Sequence, residues 1–205
     1  MKGILFSEPL FPLVVNGTKT QTRRIVTEKV MDKYYQYDDW CLSVGSADVP
    51  TTRMYEKDFL PNHSRYKVGE TVYLKEPYID CDEIEGLYYH LYKYNGDHIP
   101  FSNLKWTNKL FMPESAARYF IEITGVRVEK LQDISEEDCI KEGIQAFTKD
   151  ETVWKYGLDG WNWTDMPRNP KDAYAELIDS INGKGTCDSN PYVWVYDFKM
   201  LEGRP

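Results

Sequence analysis

The segment Gly17–Arg24 gathers one lysine, three threonines, one glutamine and two arginines within eight residues. It is the strongest candidate in the chain for carrying chemistry. A threonine hydroxyl is a poor nucleophile until a base removes its proton, and a neutral lysine amine can do this. Lysine is neutral near pH 7 only where a dry pocket or a second cation lowers its pKa, and Arg24 is a suitable neighbour for that role. The guanidinium fork of Arg24 could instead hold a carbonyl or phosphate oxygen. The same composition also suits a solvated edge strand, where threonine, lysine and arginine are common.

Other residues compete for a role. Glu76, in Lys75-Glu76-Pro77, ends an expected strand that could border a cleft, or is a rim charge. Tyr192, Trp194 and Tyr196 alternate on one face of an expected strand, as a base-stacking platform would. Core aromatics show the same pattern, which is the reading preferred for Trp194. Trp154, Trp161 and Trp163 could lid a pocket. Cys41, Cys81, Cys139 and Cys187 make no CxxC or Cys/His cluster, and His63, His90 and His98 show no metal-ligand spacing. No metal, cofactor or disulfide framework is expected.

The elements that must position these groups follow from local pattern. Lys2–Phe6 reads as a strand, Leu10–Val15 as a short helix stopped by Asn16-Gly17, and Thr18–Val26 as a polar strand. In a regular strand residues 19 and 22 point to opposite faces. Both reach one pocket only if Gly17–Gln21 is a loop or bulge leading into the strand. Residues 27–66 have weak periodicity and read as an insertion or a long decorated loop. Thr71–Tyr78 is a strand, and Gly86–Tyr94 followed by Asn95-Gly96 is a hairpin signal. Phe120–Leu131 alternates as a half-exposed strand, and Ser135 caps a short helix reaching Glu142-Gly143. A second insertion, 145–168, precedes a helix capped by Asn169, with Ala173, Tyr174, Leu177, Ile178 and Ile181 on its apolar face. Tyr192–Met200 closes the chain as a strand. The fold class expected is α+β, one domain over 1–205, with a small mixed or barrel-like sheet and a few helices against it.

Composition bounds the function. The chain has 205 residues, 41% apolar and 15% aromatic, with a formal net charge of −8. That balance argues against gripping nucleic acid through many phosphates, but it leaves room for a local basic pocket. No signal h-region or membrane-length apolar run is present, so a cytoplasmic protein without a membrane partner is expected. Oligomeric state is not legible.

Asn16-Gly-Thr-Lys-Thr-Gln-Thr-Arg-Arg24 resembles the glycine-x-lysine-threonine-x-threonine-x-arginine signature of ASCH domains, members of the PUA-like superfamily. Val68–Glu76 is similar to the family's following turn and strand. Phe120–Gly143 is similar to its later strand and glutamate-bearing short helix. Ser180–Gly183 and Asn190–Trp194 resemble the C-terminal part of longer versions that phages and prophages carry. The resemblance implies a small mixed β-barrel with rim helices, and a cleft for a nucleoside or nucleic-acid base. One bacterial branch hydrolyses the acetyl amide of N4-acetylcytidine with a lysine, a threonine and a glutamate. By position these are Lys19, Thr22 and Glu142, with Arg24 as the branch's arginine. Glu142 alone, before a glycine at a helix end, would read as a solvated surface residue. Arg24, Thr20, Glu76 and Tyr192 are the ligand-binding candidates. The insertions at about 27–66 and 145–168 lie outside the resemblance, and insertions near a barrel mouth commonly change ligand choice.

Three readings follow. The first is an amidohydrolase on a modified nucleoside, with Thr22 as nucleophile, Lys19 as base and Glu142 as proton shuttle. It requires the trio to converge on a cleft. The second is a non-catalytic RNA- or nucleotide-binding module of phage or prophage origin, which requires a basic and aromatic groove despite the net acidity. The third is a protein-interaction role, which requires an exposed apolar patch on 145–168.

Overall fold

The structure, a computed structural model, describes residues 1–44, 60–84, 87–95 and 105–205. Five strands make one mixed sheet. They are β1 (Lys2–Leu5), β2 (Gln21–Ile25), β3 (Thr71–Lys75), β6 (Phe120–Lys130) and β9 (Tyr192–Met200), in the order β1-β3-β6-β9-β2. β1 and β3 are parallel and every other pairing is antiparallel. The long β6–β9 ladder, from Ile121 opposite Met200 to Lys130 opposite Tyr192, is the spine, with an irregularity between Ile123 and Gly125.

The edge strands are β1 and β2, and they lie within reach of one side chain. Arg24 of β2 donates from Nη2 to the main-chain carbonyl of Leu5 on β1. Sheet residues Ile4, Val72, Leu74, Ile121, Ile123, Val193 and Val195 share a single core with helix α1 (Phe11–Val15). Helix α4 (Pro170–Asn182) adds Ala173, Tyr174, Leu177 and Ile178 to it. Asn169 caps α4 through Lys171 N–H at 2.8 Å, and Ser135 caps α3 (Glu136–Lys141) through Asp138 N–H at 3.1 Å. Both caps are the ones expected from the sequence.

Three local expectations need correction. Residues 27–66 are not simply a decorated loop. Glu28–Val44 is a 17-residue helix, α2, and Leu60 and Tyr66 are core residues; residues 45–59 lie outside the described residues. The helix was hidden because its tyrosines and aspartates blur the apolar period, and Tyr34 is its buried anchor. Thr71–Tyr78 is two strands, β3 and β4 (Tyr78–Ile84), parted at Glu76-Pro77, where proline offers no N–H to a ladder. β5 (Leu87–Tyr92) pairs back onto β4, with Tyr78 opposite Tyr92. Lys93–Asn95 is one tight helical turn, and Gly96 lies outside the described residues.

The second insertion folds as a hairpin, β7 (Gln145–Thr148) with β8 (Trp154–Gly157). Leu158 and Met166 are buried beneath it, and Trp154 is its one exposed large apolar residue. A short helix, α5 (Thr186–Ser189), leads into β9. Among the described residues no helix is long and apolar enough to cross a membrane. Nor is any group of three or more His, Cys, Asp or Glu placed to hold a metal ion.

Candidate functional site

The turn after α1 decides where Lys19 points. Asn16 closes the helix with its N–H on Pro12 O, and Gly17 takes φ +78°, a conformation that suits glycine. Lys19 N–H then donates to Leu13 O at 2.8 Å, and Thr20 N–H to Lys141 O at 2.9 Å. Regular pairing begins only at Gln21. Lys19 therefore lies before the strand and outside its alternation, so the opposite-face objection does not apply. Lys19 and Thr22 line the same cavity.

Glu142 meets Lys19 there. It sits at the C-cap of α3, where Gly143 turns the chain at φ +104°. It is only 4% exposed, so it is not the solvated helix-end residue that its local sequence suggests. Lys19 Nζ donates to the Glu142 main-chain carbonyl at 2.7 Å and to carboxylate Oε2. Lys19 itself is 1% exposed. Burial lowers its pKa below the usual lysine range, against the pull of Glu142, while Arg24 and Arg23 push the same way as burial.

The second carboxylate oxygen of Glu142 accepts from Arg23 Nη1 at 3.1 Å. Arg23, which was not among the candidates, is a buried hub. It donates to Glu129 Oε1 from Nε at 2.9 Å and from Nη2 at 2.6 Å, and to Asp138 Oδ2 at 3.1 Å. Burial disfavours its charge, but Glu142, Tyr174 and Glu129 together hold its pKa above the ordinary arginine value. Arg127 ties Glu129, Asp138 and Asp197 into the same network. Glu142 is thereby fixed from one side by Arg23 and faces Lys19 with the other.

The cavity holding Lys19, Thr22, Arg24 and Glu142 has a volume of about 70 Å³. Its walls include Phe6, Leu10 and Ile178. Ser7 and Tyr174 are among its lining residues, and their hydroxyls are cut off from solvent and have no hydrogen-bond partner among the described residues. Buried polar groups are almost always paired, and an unpaired one costs about 1–3 kcal/mol. Both belong to residues that border one small cavity, so a polar guest there is the nearest candidate partner for them. Sequence reasoning placed Tyr174 only on an apolar helix face; a phenol on such a stripe was the signal available.

A second, more open cleft of about 430 Å³ adjoins the first, sharing Arg24 and Ile25 with it. Arg65, Lys75, His63, Tyr66, Trp194 and Tyr196 line it. Trp194 is buried as expected for a core residue, yet it forms part of this wall.

The remaining candidates lie elsewhere. Glu76 is fully buried and grips Arg118 through both oxygens at 2.8 Å, so it is a structural ion pair lining neither cavity. Thr20 uses its backbone to tie Lys141 to Phe198, and its side chain lines neither cavity. The Tyr192 ring lies under the Lys130 ammonium at 3.8 Å, at the far end of the β6–β9 ladder. Trp154, Trp161 and Trp163 also line neither cavity; Trp161 packs against the core and Trp163 against Lys149 and Lys155. Comparison of the chain with protein-family models, curated proteins and solved structures returned no match.

Proposed function

We propose that the chain is an ASCH-type domain of the PUA-like class that hydrolyses an amide on a modified nucleoside, of which N4-acetylcytidine is the type. The observation that carries this reading is the burial of Lys19 against Glu142 in a cavity that also holds Thr22. A desolvated lysine with a lowered pKa is what a general base beside a hydroxyl nucleophile requires. The curl that brings edge strands β1 and β2 within the span of Arg24 supports the barrel-like part of the reading.

In this mechanism neutral Lys19 takes the Thr22 hydroxyl proton as Oγ1 bonds to the acyl carbon. Collapse of the tetrahedral adduct breaks the C–N bond, and the leaving amine receives the proton from Lys19, with Glu142 as relay. Water then cleaves the acyl-threonine ester, releasing the carboxylic acid and restoring the hydroxyl. Arg24, which makes no carboxylate hydrogen bond among the described residues, holds the substrate oxygen.

The test is hydrolysis of N4-acetylcytidine by wild type beside Lys19→Ala, Thr22→Ala and Glu142→Ala, with folding checked by circular dichroism. Turnover abolished in all three supports the trio; wild-type turnover that survives Thr22→Ala removes the covalent mechanism. A binding module without catalysis is the second reading. It is favoured by the cations and aromatic rings of the adjoining cleft.

A further inference from the structure

We infer that the open cleft beside the catalytic cavity is a phosphate-binding subsite, so that the molecule taken up is a nucleotide unit and not a free nucleoside. The inference rests on the nucleoside reading above and deepens it. Size gives the first argument. A cavity of about 70 Å³ accommodates a reacting amide group and the adjoining base edge but not a ribose as well. The rest of the ligand has to lie outside it, and Arg24 and Ile25 border both this cavity and its neighbour. What lies beyond is about 430 Å³ of open cleft, within the usual range for small-molecule sites.

Charge gives the second argument. The chain carries 33 acidic against 25 basic residues, yet the described lining of this cleft has Arg24, Arg65, Lys75 and His63 and no carboxylate. Other arginines of the fold are spent on acids. Arg23 holds Glu129, Asp138 and Glu142, Arg118 holds Glu76, and Arg127 holds Glu129, Asp138 and Asp197. Arg24 and Arg65 differ. Among the described residues Arg24 makes one hydrogen bond, to Leu5 O, and it lies over the Phe6 ring. Arg65 lies over the Tyr66 ring at 5.4 Å, and its guanidinium has no carboxylate partner among the described residues. Lys75 Nζ spends one donor on Leu110 O at 2.7 Å and keeps the others. Forked and point-charge donors that line one cleft with no carboxylate in that lining are the means by which proteins take phosphate.

Preorganisation gives the third. The aromatic wall is pinned by its polar ends: Tyr66 OH donates to Gly3 O, Trp194 Nε1 to Leu60 O, and Tyr196 OH shares a hydrogen bond with Ser64 Oγ. These rings therefore present fixed edges and faces, against which a ribose packs while the cations hold the phosphate.

The experiment is titration calorimetry of the full chain with cytidine, cytidine 5′-monophosphate and a short oligocytidylate, in wild type, Arg65→Ala and Lys75→Ala. The subsite predicts that the monophosphate binds at least about ten-fold tighter than cytidine at low salt. It also predicts that this advantage shrinks in both variants, with cytidine binding retained. An oligocytidylate tighter than the monophosphate assigns the phosphate to a polymer backbone; a weaker one assigns it to a mononucleotide. Equal binding of cytidine and monophosphate by wild type overturns the subsite while leaving the nucleoside reading intact. So does a phosphate advantage that survives both substitutions. Failure of all three probes to bind overturns both.

Discussion

Lys19 and Glu142, 123 positions apart in sequence, are joined twice, because the lysine Nζ donates to both the main-chain carbonyl and the carboxylate of the glutamate. The two links have different consequences. The carbonyl bond fixes where the ammonium sits whatever the state of the carboxylate. The carboxylate bond supplies a place for a proton to go. Both residues lie at turns that end helices, with Gly17 at φ +78° before one and Gly143 at φ +104° after the other. A Cβ on Gly143 would come within 3.1 Å of Leu13 Cδ1 and 3.6 Å of Lys19 Cβ, so the two turns are packed against each other.

Lys19→Arg separates catalysis from binding. Arginine keeps the charge but cannot act as a base, since it stays protonated at every usable pH. Turnover is expected to fall by about 10²–10⁴-fold, the usual worth of a general base, while nucleoside affinity changes far less. The pH profile carries the sign. Burial lowers the folded-state pKa of Lys19 below its ordinary 10.5, so the rising limb of kcat/KM lies below that value. The unfolded chain then binds this proton more tightly than the folded one, and stability rises with pH between the lowered value and 10.5. A limb at or above pH 10.5 in steady-state kinetics would contradict the role.

Glu142 and Glu76 offer a matched pair. Each is a buried carboxylate gripped by cations, Glu142 by Lys19 and Arg23 and Glu76 by Arg118. Removing one partner of a buried pair costs about 3–5 kcal/mol, so Glu142→Ala and Glu76→Ala are both expected to shift the urea midpoint strongly. In the proposed mechanism only Glu142, which shares a cavity with Thr22, takes part in the chemistry. Glu142→Gln abolishes turnover, and Glu76→Gln leaves the rate per folded molecule at the wild-type level. Equal loss in the two glutamine variants would show that the effect is structural.

That pair also shows what the sequence could and could not reveal. The strands at Lys2–Phe6, Phe120–Leu131 and Tyr192–Met200 and the caps at Ser135 and Asn169 were legible, because period and capping chemistry are local. That Lys19, Thr22 and Glu142 share one cavity was legible only through a motif resemblance. Nothing local in Ile140-Lys-Glu-Gly143 distinguishes a buried glutamate from a solvated one; its partners are Lys19, in the turn after α1, and Arg23 of β2, more than 100 residues earlier. The burial of Glu76 was hidden for the same reason, since its partner Arg118 is 42 positions away. Arg23 was passed over because an arginine on a polar strand is ordinarily exposed, and three carboxylates from later elements make its burial tolerable.

The arginine network predicts an acid limb of stability. Although burial disfavours the Asp138 carboxylate, Arg127 and Arg23 hold its pKa below the ordinary 3.8, with Lys141 adding a hydrogen bond. A lowered carboxylate pKa contributes stability that is complete above the unfolded value and lost as pH falls through the folded one. Urea melts from pH 6 downward are therefore expected to weaken below about pH 4, and Asp138→Asn to flatten that part of the dependence. An unchanged slope in the asparagine variant would remove Asp138 from the account.

Tyr174 gives the sharpest test that the small cavity is a ligand site. Its hydroxyl is buried and without a hydrogen-bond partner among the described residues, and the residue borders the same cavity as Lys19 and Thr22. If the group exists only to complete the core, Tyr174→Phe removes an unsatisfied oxygen and is harmless everywhere. If it awaits a ligand, the substitution has opposite effects on the two states. The free protein becomes as stable or more stable, by up to about 1–3 kcal/mol, because a desolvation penalty is relieved. The bound state loses a hydrogen bond formed out of water, and kcat/KM or nucleoside affinity drops by about ten-fold, the worth of some 1.4 kcal/mol. Thermal melts with and without nucleoside read both effects in one experiment. A higher melting temperature alone together with a smaller ligand-induced shift is the expected signature, and a phenylalanine variant with an undiminished shift would assign the hydroxyl to the core.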